Sequence, residues 1–241
     1  MGEGMDISLK AALDMARRDK PRDRPSASSR IYEDLRQRIL SLELPPGTSL
    51  FRAELAEHYE VSQTPIRDAM QRLEQDGLVR IYPQSRTVVT RIDIPQIYEA
   101  HFLRTALETE VVRRLAEQDS SDTVSRARSV VLIQKALAED RSKIPAFQEL
   151  DEYFHQILFE GVGQYNLHRL SLSRSGHLDR VRRLQPPSDE KLQHIISGHT
   201  AILDSIAARD QAAAVGAIRD HLSKTVSRVE EFRAQHKEYF V

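Results

Sequence analysis

The 241-residue sequence contains no cysteine. That absence excludes a disulfide framework and any thiolate metal site, so a metal bound here must be held by nitrogen and oxygen ligands. No run approaches the roughly 20 consecutive apolar residues that cross a bilayer, and the N-terminus lacks the basic, apolar, small-residue order of a secretory leader. A cytoplasmic protein with no membrane partner is therefore expected. Charge bias is missing too. Lys plus Arg number 35 against 36 Asp plus Glu, a formal charge of -1, so any case for nucleic acid rests on local geometry rather than on a basic block. Internal repeats are absent, and no glycine occurs between Gly77 and Gly161, as expected of long helices joined by polar caps. What is present is a 40% hydrophobic chain, long enough for two small domains.

Residues 1–29 mix a short apolar run (Ile7, Leu9, Ala12, Leu13) with the charged, Pro/Ser-rich stretch ARRDKPRDRPSASS, and read as a flexible arm. Residues 30–92 pattern as three short helices and two strands. Residues 93–241 are almost wholly helical, with helices expected near 95–118, 121–139, 145–161, 165–184, 189–208 and 211–235. Asp119-Ser120-Ser121-Asp122, Lys143-Ile144-Pro145 and Gln185-Pro186-Pro187-Ser188-Asp189 supply the stops and caps. The fold class is mainly α: an N-terminal winged helix-turn-helix followed by an all-α helical bundle.

In RIYEDLRQRIL the apolar residues Ile31, Leu35 and Ile39 recur every four, and Pro45, Pro46 and Gly47 then stop the helix. Leu55, Ala56 and Tyr59 form a second short apolar face, and Val61 plugs a turn. Ser62 or Thr64 can cap a third helix with Pro65 in its first turn. On that helix Ile66, Met70 and Leu73 point one way, while Gln63, Thr64, Arg67 and Gln71 share another face. Arg and Gln make bidentate bonds to base edges in a major groove, and Thr and exposed amides suit phosphates. Gly77 ends the helix, and LVRIY, PQSR and TVVT read as two strands around a turn, a wing carrying Arg80, Arg86 and Arg91. Arg52 and Arg86 join the helix face as DNA-binding candidates.

Leu44-Pro45-Pro46-Gly47, Glu54-Leu55-Ala56, Val61 through Ala69 and Leu73-Glu74-Gln75-Asp76-Gly77-Leu78 resemble the winged-helix pattern of the GntR family of bacterial transcription regulators. The sequence departs from that pattern at Gln63, where the family usually has arginine, and at Pro83-Gln84-Ser85-Arg86, where a wing-tip glycine is usual. Arg67 keeps the family's main base-reading position. The resemblance implies a double-stranded DNA operator as partner.

In the C-terminal part, polar groups fall on apolar helix faces. Phe147, Leu150, Phe154, Ile157 and Leu158 form one stripe; Asp151 lies within its spread, His155 beside it, and Tyr153 projects away. His199 lies near the centre of the stripe Leu192, Ile195, Ile196, Ile202, Leu203 and Ile206. His221 flanks the stripe Val215, Ile218, Leu222, Val226 and Val229. A buried carboxylate needs a partner: either a hydrogen-bonded structural histidine core, or a metal site of three imidazoles and one carboxylate suited to zinc, nickel, iron or manganese. A metal-dependent hydrolase using the same four residues is a third reading, but HExxH and other recognisable catalytic sets are absent, and Glu149, Glu152 and Glu160 project to the surface.

Residues 96–235 resemble the FCD effector domain of the FadR subgroup of the same family. Its metal-binding members carry D-x-x-x-H, a later histidine and a final His-Leu, and here Asp151, His155, His199 (in HTAIL) and His221 stand in those places. The resemblance implies a metal platform for a small carboxylate effector, with Arg104 as a cavity-facing clamp and His101 and Asn166 as weaker cavity candidates. The bland alternative for Arg104 is an i, i+4 pair with Glu108 on a solvated face. The helical domain is expected to form a homodimer, setting two winged helices on half-sites about one DNA turn apart.

Overall fold

The first helix starts where a hydroxyl can cap it. Ser26 accepts a hydrogen bond from Ser29 N at 3.2 Å, a cap worth about 1 kcal/mol, so α1 (Ala27–Leu40) begins inside the stretch expected as an arm. The computed structural model describes residues 26–82, 86–184, 188–224 and 226–241. The rest of the expected arm, the wing turn at 83–85 and the Gln185-Pro186-Pro187 stop lie outside those residues.

β1 (Ser49–Leu50), α2 (Arg52–His58), α3 (Gln63–Gln75), β2 (Val79–Ile81) and β3 (Thr87–Val89) follow. Ser62 occupies the N-cap position of α3 without a side-chain bond. At the other end Gly77 adopts φ +75°, and Leu78 N and Gly77 N return to Leu73 O and Glu74 O at 2.9 Å each, the left-handed stop that glycine makes without strain. The periodic residues Ile31, Leu35 and Ile39 of α1 meet Ile66, Met70 and Leu73 of α3 in one core. The sheet is antiparallel in the order β1-β3-β2, with Ser49 opposite Val88 and Arg80 opposite Val88 on the other side. Only two strands are legible beforehand, because two-residue β1 is too short to display an alternation.

α4 (Ile94–Glu117), α5 (Ser121–Leu137), a 3₁₀ turn (Arg141–Lys143), α6 (Ile144–Gly161), α7 (Tyr165–Arg174), α8 (Gly176–Leu184), α9 (Asp189–Ala207), α10 (Gln211–Ser223), α11 (Val229–Gln235) and a second 3₁₀ turn (Lys237–Tyr239) complete the order. Two expected helices are each broken in two. Near 165–184 the break falls at Ser175, whose hydroxyl lies within donating reach of Leu172 O, at 2.9 Å, and of the Asp179 carboxylate. The helix expected over 211–235 stops at Ser223. Val226 and Val229 leave its stripe and pack in a different cluster with Ile92, Ile97, Leu178 and Phe232.

Contacts divide the described chain into two compact units. The bundle unit comprises 103–170 and 188–224, and its core joins Val112 and Leu115 of α4, Ala127 and Val131 of α5, Phe154 and Ile157 of α6, Ile202 of α9 and Ile218 of α10. Tyr153, expected to face outward, is instead 7% exposed and part of this core. The reading unit comprises 26–102 with 171–184 and 226–241. Its last element is a parallel bridge between Ile92 and Phe240, with Ile92 N bonded to Tyr239 O at 2.7 Å. Residues of the expected 93–241 domain therefore contribute to both units, because α8 and the C-terminal segment bury their apolar side chains against Ile92 and Ile97. Among the described residues no helix is long and apolar enough to cross a membrane.

Candidate metal centre and DNA-reading face

The reading face follows from the packing of α3. With Ile66, Met70 and Leu73 fully buried, helical geometry turns Gln63, Thr64, Arg67 and Gln71 outward, and all four are exposed. Arg52, opening α2, and Arg86, just before β3, are exposed as well. Arg67 is 59% exposed in its side chain and lies 3.8 Å from the Asp68 carboxylate, an exposed pairing weak enough to yield to a base or phosphate.

In the bundle unit, α6, α9 and α10 bring Asp151, His155, His199 and His221 together, one potential ligand atom from each lying within 4.8 Å of the others. The imidazole centroids are 5.4 Å apart for His155–His199, 5.4 Å for His155–His221 and 4.7 Å for His199–His221. His199 is fully buried, stacked at 3.7 Å on Phe154. Burial first, then the neighbouring imidazole His155, holds His199 well below its ordinary pKa; burial, His199 and His155 do the same to His221. Both rings are therefore neutral at physiological pH.

Neutral rings have one lone-pair nitrogen, and the surroundings decide which. Gln134 Oε1 lies 3.0 Å from His199 Nδ1; a carbonyl oxygen only accepts, so Nδ1 carries the hydrogen and Nε2 the lone pair. That Nε2 stands 3.4 Å from Asp151 Oδ1, and neither atom makes a hydrogen bond. The contact meets the distance criterion for an ion pair, but with His199 neutral it sets a lone pair against a carboxylate oxygen, a repulsive arrangement that a cation between them would relieve. His221 Nδ1 is likewise buried without a hydrogen bond. The donor set thus fits a divalent transition metal.

An outer layer orients these side chains. Glu108 is 2% exposed; it accepts from His155 Nδ1 at 2.6 Å and from Arg104 Nε at 2.5 Å, fixing the His155 tautomer with Nε2 as its lone-pair nitrogen. The Arg104–Glu108 pair does form, but it is buried rather than on a solvated face, with 13% and 3% side-chain exposure. Glu108 was legible: it stands at helical spacing with Val111, Val112 and Leu115. Gln134 was too, among Ala127, Val130, Val131 and Leu137. His101 lies on the part of α4 that belongs to the reading unit, and Asn166 is exposed. Two residues past Asn166, His168 is 4% exposed against Phe159, with Nδ1 unbonded and its pKa lowered to about 4 chiefly by burial.

A helix-turn-helix with a small antiparallel sheet in one unit, together with an all-helical second unit, is the architecture of a DNA-binding transcription regulator. Residues 27–89 match the model of the bacterial regulatory proteins of the gntR family, and residues 96–224 match the FCD domain. An uncharacterised HTH-type transcriptional regulator in an unstable DNA locus of Streptomyces ambofaciens is 34% identical over 87% of this chain and 88% of its own. The HTH-type transcriptional repressor RspR of Escherichia coli K12 is 28% identical over 88% and 93%. Among solved structures, E. coli McbR/YncC superposes with a TM-score of 0.69 at 18% identity, covering 86% of this chain and 99% of that one; that likeness is one of fold. The chain belongs to the GntR family of transcription regulators, in the FadR-like arrangement with an FCD domain. Proteins of this family are regulators of transcription, not enzymes.

Proposed function

We propose that the protein is a cytoplasmic, homodimeric repressor whose grip on a double-stranded DNA operator is controlled by a small organic acid bound at a metal site in its helical domain. One observation carries this reading: four residues from three helices, Asp151, His155, His199 and His221, converge within 4.8 Å, and Asp151 Oδ1, His199 Nε2 and His221 Nδ1 are buried without a hydrogen bond from any described group. These four would hold a divalent ion such as zinc, nickel, iron or manganese. When bound, such an ion supplies a Lewis-acid anchor for a carboxylate. Arg104 places a fixed positive charge near the cluster, since its field lowers both His199 and His221, and is the group we assign to the acid itself.

On the DNA side, Gln63, Thr64, Arg67 and Gln71 read the major groove from α3, while Arg52 and Arg86 hold phosphates. The acid shifts operator affinity to the extent that it binds the two conformations of the dimer differently. Metal content of the purified full chain, followed by operator titrations with a panel of small carboxylates before and after chelation, tests this. Stoichiometric metal and a chelator-sensitive carboxylate response are expected. A metal-free protein whose DNA affinity ignores every acid would sink the reading. His199→Ala should lower the metal content, and unchanged stoichiometry would mean the site is elsewhere.

A further inference from the structure

Arg180 is the largest fully buried side chain among the described residues, at 0% exposure on α8, and no described carboxylate forms an ion pair with it. A cation in such a place is costly unless its donors are occupied. They are. Nη1 donates to Thr90 O at 2.5 Å, Nη2 lies 3.0 Å from His177 Nδ1 and 3.4 Å from Thr90 Oγ1, and Nε reaches Gly176 O at 3.3 Å. Burial lowers its pKa to about 10, which leaves it charged at neutral pH.

The acceptors identify what the guanidinium holds. Thr90 follows β3 and is the exit of the wing; its Oγ1 donates to Gly77 O at 2.7 Å, and its N bonds Leu78 O at 3.0 Å. Gly77 is the left-handed residue that ends α3. Two neighbours on the same side reach the same joint. Arg174 Nη1 lies 3.4 Å from Gln75 O, the last residue of α3, and His177 Nδ1 accepts from Asp93 N at 2.9 Å, just beyond the wing. A Cβ on Gly77 would come 3.5 Å from His177 Nε2. So α8 is bonded to the exit of the wing, Thr90 ties that exit to Gly77 at the end of α3, and Arg174 at the end of α7 reaches the last residue of α3, yet α8 offers no base-reading side chain. It lies outside residues 27–89 and inside the stretch matched as the FCD domain.

We propose that Arg180, through Thr90 and with His177, is a positioning residue for DNA recognition: it sets the angle between α3 and the wing, so that a helix of the effector-domain sequence completes the reading head. Base readout depends on side chains reaching edges within hydrogen-bond distance, so a small change of that angle costs specific contacts while leaving sequence-independent phosphate attraction in place.

The test uses the full chain and two DNA probes: a duplex selected from a random-sequence pool by the wild-type protein, and a scrambled duplex of the same composition. Arg180→Met should bind the selected duplex about tenfold more weakly, the worth of roughly one good base contact, with affinity for the scrambled duplex unchanged. Arg180→Lys, which keeps the charge and one donor towards Thr90 O, should fall between. Hydroxyl-radical footprints add a readout that loss of folding would not give: protection flanking each half-site should fade while protection at its centre persists. Wild-type affinity of Arg180→Met for the selected duplex, parallel loss on both duplexes, or uniform fading of the footprint would overturn the proposal. Should Arg180→Met fail to fold by circular dichroism, Arg180→Lys decides alone, and wild-type affinity in that variant would overturn it equally.

Discussion

Gly198 gives the sharpest handle on the metal centre because it lies beside the ligands without being one. It precedes His199 on α9, and a Cβ there would stand 2.7 Å from His221 Nδ1 and 3.3 Å from its Cγ. Ordinary contact begins at 3.4 Å, so the ring must retreat by about 0.7 Å, well beyond the roughly 0.2 Å tolerance of a metal–ligand distance. Helix propensity pulls the other way, alanine being better than glycine by about 1 kcal/mol in a helix interior. Gly198→Ala should therefore leave the metal-free protein nearly as stable as before while weakening metal binding about 100-fold, as severe outer-shell substitutions do. At free metal 100 times the wild-type Kd, the ion stabilises the wild type by about 2.7 kcal/mol and such a variant by about 0.4 kcal/mol. The gap corresponds to about 5–9 °C in Tm. Thermal melts with zinc and nickel, paired with competition against a chromogenic chelator, read it directly. Equal metal-induced rises in Tm for variant and wild type would refute the assignment of His221 as a ligand.

Three further outcomes follow from the same geometry. Arg67→Ala should cost about 1–3 kcal/mol of affinity for a selected duplex with metal stoichiometry intact; unaltered affinity would remove Arg67 from the base-reading set. Glu108→Gln keeps the shape but cannot accept from both Arg104 and His155, so chelator competition should register an about 10- to 100-fold loss of metal affinity, and a wild-type value would make Glu108 a bystander. Burial, reinforced by the Arg180 charge, lowers His177 from 6.5 to about 4. The unfolded chain then takes up the proton first on acidification, so His177 leaves stability undiminished above pH 6.5 and removes about 3 kcal/mol as pH falls towards 4. Urea midpoints across that window should fall less steeply for His177→Gln, and superimposable curves would clear His177 of the effect.

Much of this was legible as periodicity. A stripe at helical spacing fixes both that a helix forms and which face it buries, so α4, expected at 95–118, is found at 94–117, and His199, central to its stripe, is 0% exposed. Periodicity does not say against what a face is buried. Val226 and Val229 continue the spacing of Val215, Ile218 and Leu222, yet they pack with Ile92 and Phe232 in the other unit. The break at Ser175 was hidden for a related reason: a serine hydroxyl bonded to a carbonyl of the preceding turn, as Ser175 is to Leu172 O, also fits a helix interior. Tyr153 shows the opposite error, since a wide apolar face on an all-helical bundle buries residues flanking the central stripe. Polar residues at stripe positions were the underused signal, and Glu108, Gln134, His177 and Arg180 all carry it.

The buried polar groups of the two units differ in one physical respect that separates structure from sensing. In the reading unit, Arg180 brings a charge inside and surrounds it with protein acceptors: two carbonyls, a hydroxyl and an imidazole lone pair. Every nitrogen of that guanidinium is engaged, so the group is a finished clasp with nothing left to recruit. In the bundle unit, Asp151 Oδ1, His199 Nε2 and His221 Nδ1 are also buried but satisfied by no described group, although Gln134 and Glu108 fix the far sides of His199 and His155. Leaving one buried polar atom without a hydrogen bond costs about 1–3 kcal/mol, and three of them converging on one point would be a persistent liability in a core meant only to be stable. Replacing Asp151, His199 and His221 together by Leu, Phe and Leu should therefore raise the Tm of the metal-free protein while abolishing metal binding, and a fall in Tm would show that the histidine core is structural after all.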